Sequence, residues 1–448
     1  TAEPVAREDF VCADTTADSL GGAVWPSVAI DENGDVILVY LRQQITGTRA
    51  SLRLFTVAMD RTGNLTGPEH RILPDTVRGH SVHWPTGPTP VTRNDEGVLF
   101  FPVHATITDP AQQTIARGID YFVGSSGQGS NLSRLPATTV PMEGNHYRPH
   151  MAVGDINESG ICGAAWVGRQ VETPYHAKLF VRLYNVGSGE FGDFIIASSR
   201  SLPPAASGMV IQRRPKGPPA LAIDSDGGFT VAWIGEGDND ARVFHCSYDS
   251  FGRARGLVNI VIPDDTANVA VRAVNMDGAP DGDYYLAWSS DRVGYADHHG
   301  RTHVWMQGFN SDGTPKYNAV RVDDADSTNI IDEGIIYPSI VCDDSGNVLV
   351  VWADARLYPD SHRSRLRQDV FVQRFNPDGS RAGANVRVNN VTGTADLKGT
   401  HSDCDLNNDG QVVIVWRDFG EANTVKAQLM PLDQVGRVIK GDLNSDFR

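Results

Sequence analysis

Apolar residues in this chain fall in short runs separated by turn residues, and no stretch keeps a helical period long enough to predict a helix. One unit recurs along the whole length: an apolar run, an Asp/Asn-Gly turn, a second apolar run often ending in Trp, then a polar loop. The clearest copies run from Tyr337-Pro338-Ser339-Ile340-Val341 to Val351-Trp352 and from Trp25-Pro26-Ser27-Val28-Ala29 to Leu38-Val39-Tyr40. Others end at Ala232-Trp233, Ala287-Trp288 and Val415-Trp416. The turn glycines Gly34, Gly97, Gly160, Gly227, Gly282, Gly346 and Gly410 are spaced by 63, 63, 67, 55, 64 and 64 residues. Self-similarity at such a period marks an array of structural repeats.

Each unit continues with a third run and a second turn, as in Val370-Phe371-Val372-Gln373-Arg374-Phe375 before Asn376-Pro377-Asp378-Gly379, and then a fourth short run. Four short strands joined by tight turns predict one antiparallel sheet. Such a sheet cannot bury both faces alone, whereas seven of them packed face to face around an axis bury both and leave only short edges. The predicted fold is all-β, a seven-bladed β-propeller of four-stranded antiparallel blades over residues 21–440. Its blades are expected at about 24–75, 84–142, 148–200, 217–264, 270–324, 336–390 and 400–440. Residues 1–20 are a candidate strand to close the ring, and 441–448 form a C-terminal tail whose Gly441-Asp442-Leu443-Asn444-Ser445-Asp446 is similar to the opening of a dockerin-type calcium repeat.

The pattern Pro-Ser-Val-Ala-x-Asp, then Val-x-Trp, then Val-x-Gln-Arg-Phe resembles that of secreted seven-bladed β-propeller repeat proteins, over roughly Val24 to Ile439. Blades two and five depart from it by lacking the Pro-Ser-Val opening. The resemblance implies a secreted, extracellular or periplasmic propeller and leaves the activity open, because propellers host many functions.

Composition narrows the partners. The chain has 448 residues, with 39 Lys+Arg against 55 Asp+Glu and a net charge of −16, which argues against nucleic acid as a partner. No apolar run approaches the length of a membrane span. Cys12, Cys162, Cys246, Cys342 and Cys404 fit no metal-binding spacing, and the last four lie in apolar runs expected to bury them as inert thiols.

If the first strand of each blade is innermost, its start and the loop after the second strand share one rim, and the Asp/Asn-Gly turns occupy the other. Ten of the thirteen histidines then sort to the first rim: His80, His83, His104, His146, His150, His176, His298, His299, His362 and His401. Arg42, Arg148, Arg169, Arg292, Arg356, Arg363, Arg365, Arg367 and Arg417 sort with them, as do Trp25, Trp84, Tyr147 and Tyr337. Cationic and titratable groups around one mouth of an acidic protein suit an anionic polysaccharide, with aromatic platforms for sugar rings. His83, His146, Tyr147 and Arg148 are the expected catalytic residues. Trp25, Trp84, His104, Arg169, Tyr337, Arg356, His401 and Arg417 are expected to bind substrate.

Three chemistries fit these residue types. β-Elimination from a uronic-acid glycan needs a base, an acid and a cation to neutralise the carboxylate, which His, Tyr and Arg supply. In residue type the rim resembles that of propeller-fold polysaccharide lyases. Hydrolysis would need two carboxylates at fixed separation; Asp291, Asp354 and Asp418 occupy equivalent places, but are expected to make structural ion pairs between blades. A divalent metal held by His80 and His83, by His146 and His150, or by His298, His299 and His303 is a third reading. Structural calcium is suggested by Asp155-Ile156-Asn157-Glu158-Ser159-Gly160, Asp224-Ser225-Asp226-Gly227 and Asn407-Asn408-Asp409-Gly410, although hairpin turns account for the same residues. The alternative to an enzyme is a glycan- or protein-binding propeller. Against it, equivalent positions in the repeats carry different residues, as an asymmetric site would.

Overall fold

The computed structural model describes residues 10–13, 20–46, 49–72, 76–77, 80–83, 91–108, 114–125, 133–141, 147–170, 177–197, 210–211, 218–236, 241–261, 269–292, 302–324, 337–354, 368–391, 393–395, 402–418 and 424–436. They form seven antiparallel sheets arranged as a ring, a seven-bladed β-propeller. The innermost strands are, in blade order, Leu20–Ile30, Thr92–Arg93, Tyr147–Ile156, Ala220–Ile223, Val269–Gly278, Ser339–Cys342 and Asp403–Leu406. Blades four and five are continuous through a single parallel bridge between Ala241 and Ala270. Blade two carries additional short strands, Thr76–Val77 and His80–His83, hydrogen-bonded beside its second strand Val98–Thr108.

Among the described residues seven apolar clusters hold the ring, and each one spans two neighbouring blades. Blades three and four share Val181, Leu221 and Trp233; blades six and seven share Leu349, Val372 and Trp416. Val28 and Leu38 of blade one pack on Val413 and Val415 of blade seven, so the seam between the chain's two ends is as apolar as the others. The strand Phe10–Ala13 pairs with Thr424–Pro431, so the outermost strand of blade seven comes from the start of the chain. Period-two alternation explains the arrangement: both faces of each sheet are covered by a neighbour, and the second strands accordingly read as nearly continuous apolar runs.

Six of the seven inner turns obey one rule; the blade-five turn, which begins at Ala279, closes through backbone bonds instead. In blade three the Asn157 Oδ1 accepts the Ile161 N–H at 2.8 Å, while Gly160, at φ 73°, lets the chain reverse. Asp31, Asn94, Asp224, Asp343 and Asn407 do the same in their blades, each accepting an N–H four residues on. Where the residue is Asn, its Nδ2 donates onward to the next blade: Asn157 to Asp224 O at 2.7 Å, and Asn407 to Asp31 O at 2.9 Å. The sequences suggesting calcium are therefore occupied as turns and blade links. Among the described residues no cluster of His, Cys, Asp or Glu suits a metal ion.

Three of the five cysteines, Cys162, Cys246 and Cys404, are buried free thiols; Cys342 is partly buried, and burial raises its thiol pKa. No helix among the described residues is long and apolar enough to cross a membrane.

Candidate functional site

The axis of the ring is a channel with a cavity of about 280 Å³, lined by the inner strands. One mouth is ringed by the Asp/Asn-Gly turns and the other by the starts of the inner strands. The register brings the strands bearing several predicted residues together at the second mouth. His83 lies opposite Thr106 in blade two, two positions from His104, which itself lies opposite Ile119. Tyr147 and Arg148 begin the inner strand of blade three, opposite Gln170 and Arg169.

That strand packs on the second strand of blade two. A Cβ at Gly154 would sit 2.5 Å from the Phe100 ring and 2.6 Å from Pro102 Cδ, so only glycine permits the approach. The two strands run in opposite directions, and the ends carrying Tyr147 and Arg148 therefore lie beside the end carrying His104. His146, Trp84, Arg356 and His401 lie outside the described residues.

Trp25 and Tyr337 are both partly exposed at this mouth. Trp25 is the one non-glycine residue with positive φ, 52°, among the described residues. It sits in a bulge, because the pairing of the inner strand shifts between Val24 and Ser27. Tyr337 lines the channel, and burial pushes its hydroxyl up to about 12. Arg417 lies opposite Val425 in blade seven and is partly buried.

Other sequence expectations are redirected. Arg42, sorted with the rim cations, is 5% exposed; it pairs with Glu69 at 2.7 Å and stacks over Phe55 at 5.0 Å. Asp418 is buried too, bound to Lys426 of its own blade at 3.2 Å and to the Thr394 hydroxyl at 2.8 Å. The ion pair is thus within a blade, where an inter-blade pair was expected. His303, one of the histidines grouped as metal ligands, instead bonds Asp323 at 3.2 Å.

Sequence reading took Asp155 only as part of a calcium-like turn and passed over the other carboxylates inside the channel. Asp155, Asp277 and Asp405 stand two residues before the inner turn in blades three, five and seven. Each accepts a backbone N–H from the next blade: Ile223, Cys342 and Ile30 respectively, all at 2.7 Å. Burial pushes them up to about 7, 6 and 8. Asp403 joins more blades still. Its Oδ2 accepts from Ser27 Oγ at 2.6 Å, its Oδ1 from Ser339 Oγ at 2.7 Å, and Ser27 Oγ in turn accepts from Val91 N at 2.9 Å. Aligning the repeats on their turn residues would have exposed the alternating Asp; the partners could not be read that way.

At the turn-side mouth, acidic and amide side chains form a second belt. Asp95 N donates to Glu158, Asp344 N to Asn408 and Asn408 N to Glu32, each link crossing to the following blade. Burial raises the carboxyl pKa of Glu32, Asp95 and Glu158. This mouth is therefore acidic and committed to holding the ring.

No family model and no curated protein matches this chain. Solved structures do. A polysaccharide lyase described as the PL25 ulvan lyase, bound to -[GlcA(1-4)Rha3S]-, is 10% identical with a TM-score of 0.52, covering 95% of this chain and 96% of that one. The polysaccharide lyase Uly1 is 12% identical with a TM-score of 0.51, over 97% and 94%. An α-L-arabinofuranosidase from Fusarium graminearum aligns at 9% identity and a TM-score of 0.49, over 96% and 99%. At these identities the likeness to the two lyases is one of fold: the chain shares their propeller from end to end.

Proposed function

We propose that this protein is a secreted carbohydrate-active propeller that cleaves a uronic-acid-containing polysaccharide by β-elimination at the mouth where the inner strands begin. The observation that carries the reading is the close packing of the inner strand of blade three, which begins with Tyr147 and Arg148, on the second strand of blade two, which bears His104 and pairs with the strand bearing His83. His146, adjoining Tyr147, belongs to the same group. The fold shared with two polysaccharide lyases, one of them bound to a glucuronate-containing fragment, supports it.

The reaction makes three demands. A base removes the proton from the carbon next to the carboxylate. The bond to the glycosidic oxygen then breaks as a carbon–carbon double bond forms, and an acid protonates the departing oxygen. Histidine and tyrosine are suited to the two proton transfers near neutral pH. Arg148 and Arg169 would neutralise the carboxylate, which stabilises the carbanion-like charge where it develops. Trp84, Arg356, His401 and Arg417 would extend contacts along an anionic chain.

The test is incubation with a panel of uronic-acid polysaccharides, following the ultraviolet absorbance of the unsaturated product. His146→Ala is expected to lower that signal by about 10²-fold or more, the usual worth of a proton-transfer group, with melting unchanged. A variant that turns over as the wild type does would remove His146 from the mechanism. Wild-type protein that retains glycans on an array but releases no unsaturated product would make this a binding propeller.

A further inference from the structure

Two blades present the same aromatic-Pro-Ser sequence at the candidate mouth: Trp25-Pro26-Ser27 in blade one and Tyr337-Pro338-Ser339 in blade six. They are not adjacent, because blade seven stands between them. Yet their serines are tied to a single group, the buried carboxylate of Asp403 in that intervening blade, at 2.6 and 2.7 Å. Both aromatic residues are partly exposed, two positions towards the mouth from the serines. The backbone spends strain there: Trp25 holds a positive φ of 52°, a conformation that L side chains rarely adopt. Such strain persists where surrounding contacts over-determine it, and it clusters at ligand sites.

From this we infer that Trp25 and Tyr337 form a paired sugar-stacking subsite that leads from blade six to blade one, where Trp25 packs beside the apolar cluster shared with blade two, with Asp403 as the positioning residue that sets their separation. The ligand is an extended glycan, since two platforms one blade apart need a chain that reaches both; a single sugar ring would touch only one. Apolar faces of pyranose rings stack on indole and phenol rings, while hydroxyls and carboxylates stay solvated or face the arginines. The subsite rests on the carbohydrate reading above and deepens it by giving the site a direction. The chain would run from the aromatic pair on blades one and six towards the reactive seam.

The probes are a disaccharide and an octasaccharide of alternating glucuronate and rhamnose 3-sulfate, with affinity measured by calorimetry. Trp25→Ala and Tyr337→Ala are each expected to weaken octasaccharide binding about tenfold, and the double variant by roughly the product, as for two rings stacked on separate platforms. Disaccharide binding should change in one single variant at most. Asp403→Asn retains an acceptor for one serine and gains a donor for the other, and should bind like wild type. Asp403→Ala should lose affinity for the octasaccharide more than for the disaccharide. Should Asp403→Ala fail to fold, the double variant Ser27→Ala, Ser339→Ala removes the same tie while leaving the carboxylate. Octasaccharide binding unchanged in Trp25→Ala and Tyr337→Ala would overturn the subsite while leaving the carbohydrate reading intact. Wild-type protein that binds neither this octasaccharide nor any glycan of a broad array would overturn both.

Discussion

At the scale of single residues, the channel carboxylates decide how this protein responds to pH. Asp155, Asp277 and Asp405 are held up at about 7, 6 and 8 by burial, and the charge of Asp277 adds to the rise at Asp155 and Asp405. A carboxyl with a raised folded pKa keeps its proton in the folded state after the unfolded chain has lost it. Its contribution to stability is complete below the unfolded value near 4 and is lost as pH rises through about 6 to 8. Asp323 runs the other way: burial works against it, but bonds from His303 and Arg321 pull it down to about 2, so its contribution is lost only in strong acid. Melting temperature is therefore expected to peak at mildly acidic pH and to fall as pH rises from about 4 to about 8. Replacing Asp405 by Asn should flatten that slope. A melting temperature that rises across the same interval would contradict the burial of these groups. His245 opposes that slope: burial drops it to about 3, with its Nδ1 bonded to Tyr284 Oη at 2.7 Å, so it stays neutral in the core while the unfolded chain takes up a proton below about 6.5. One group of this kind offsets only part of the loss from three carboxyls.

At the scale of elements, the closing strand and the inner turns carry most of the information. Phe10–Ala13 pairs with Thr424–Pro431 through three registered partners, Phe10 with Ala427, Val11 with Lys426 and Ala13 with Val425. Removing residues 1–13 uncovers that edge and cuts the covalent link between first and last blades. The expected cost is on the order of 2–3 kcal/mol from backbone hydrogen bonds, together with a tendency to pair edges between molecules. Thermal unfolding and light scattering of the shortened chain would check it; an unaltered melting temperature and a monodisperse sample would mean the apolar seam alone closes the ring. The turns show why local chemistry was legible. Asx side chains that bond their own backbone, followed by glycine with positive φ, act within five residues, so Asn157 to Ile161 can be read directly. Their second role was not legible: the Asn157 amide reaching Asp224 crosses from one repeat to the next.

At the scale of the whole molecule, the seams set the cooperativity. Every apolar cluster belongs to two blades at once, so no blade completes a core alone. In an open array, repeats can unfold one by one; in a closed ring, losing one blade uncovers both of its neighbours. Calorimetry is expected to show a single transition with matching calorimetric and van't Hoff enthalpies. Two resolved transitions would mean that the blades unfold in groups.

What the chain states by itself is periodic and local. Alternating apolar residues, Asx-Gly turns and a recurrent spacing near 64 residues specify strands, hairpins and their number, because each rests on contacts a few residues apart. Strand alternation likewise leads one to expect histidines such as His83 and His104 at one rim. Tertiary structure alone decided the rest. Arg42 looks like a rim cation in the repeat and is buried in a structural pair with Glu69, because burial depends on what packs against it. Asp403 is unremarkable as a letter, yet it ties Ser27, 376 positions away, to Ser339. Closure of the ring makes that link. Desolvation and long-range hydrogen bonding arise only when distant segments meet, and no pattern along the chain encodes the meeting.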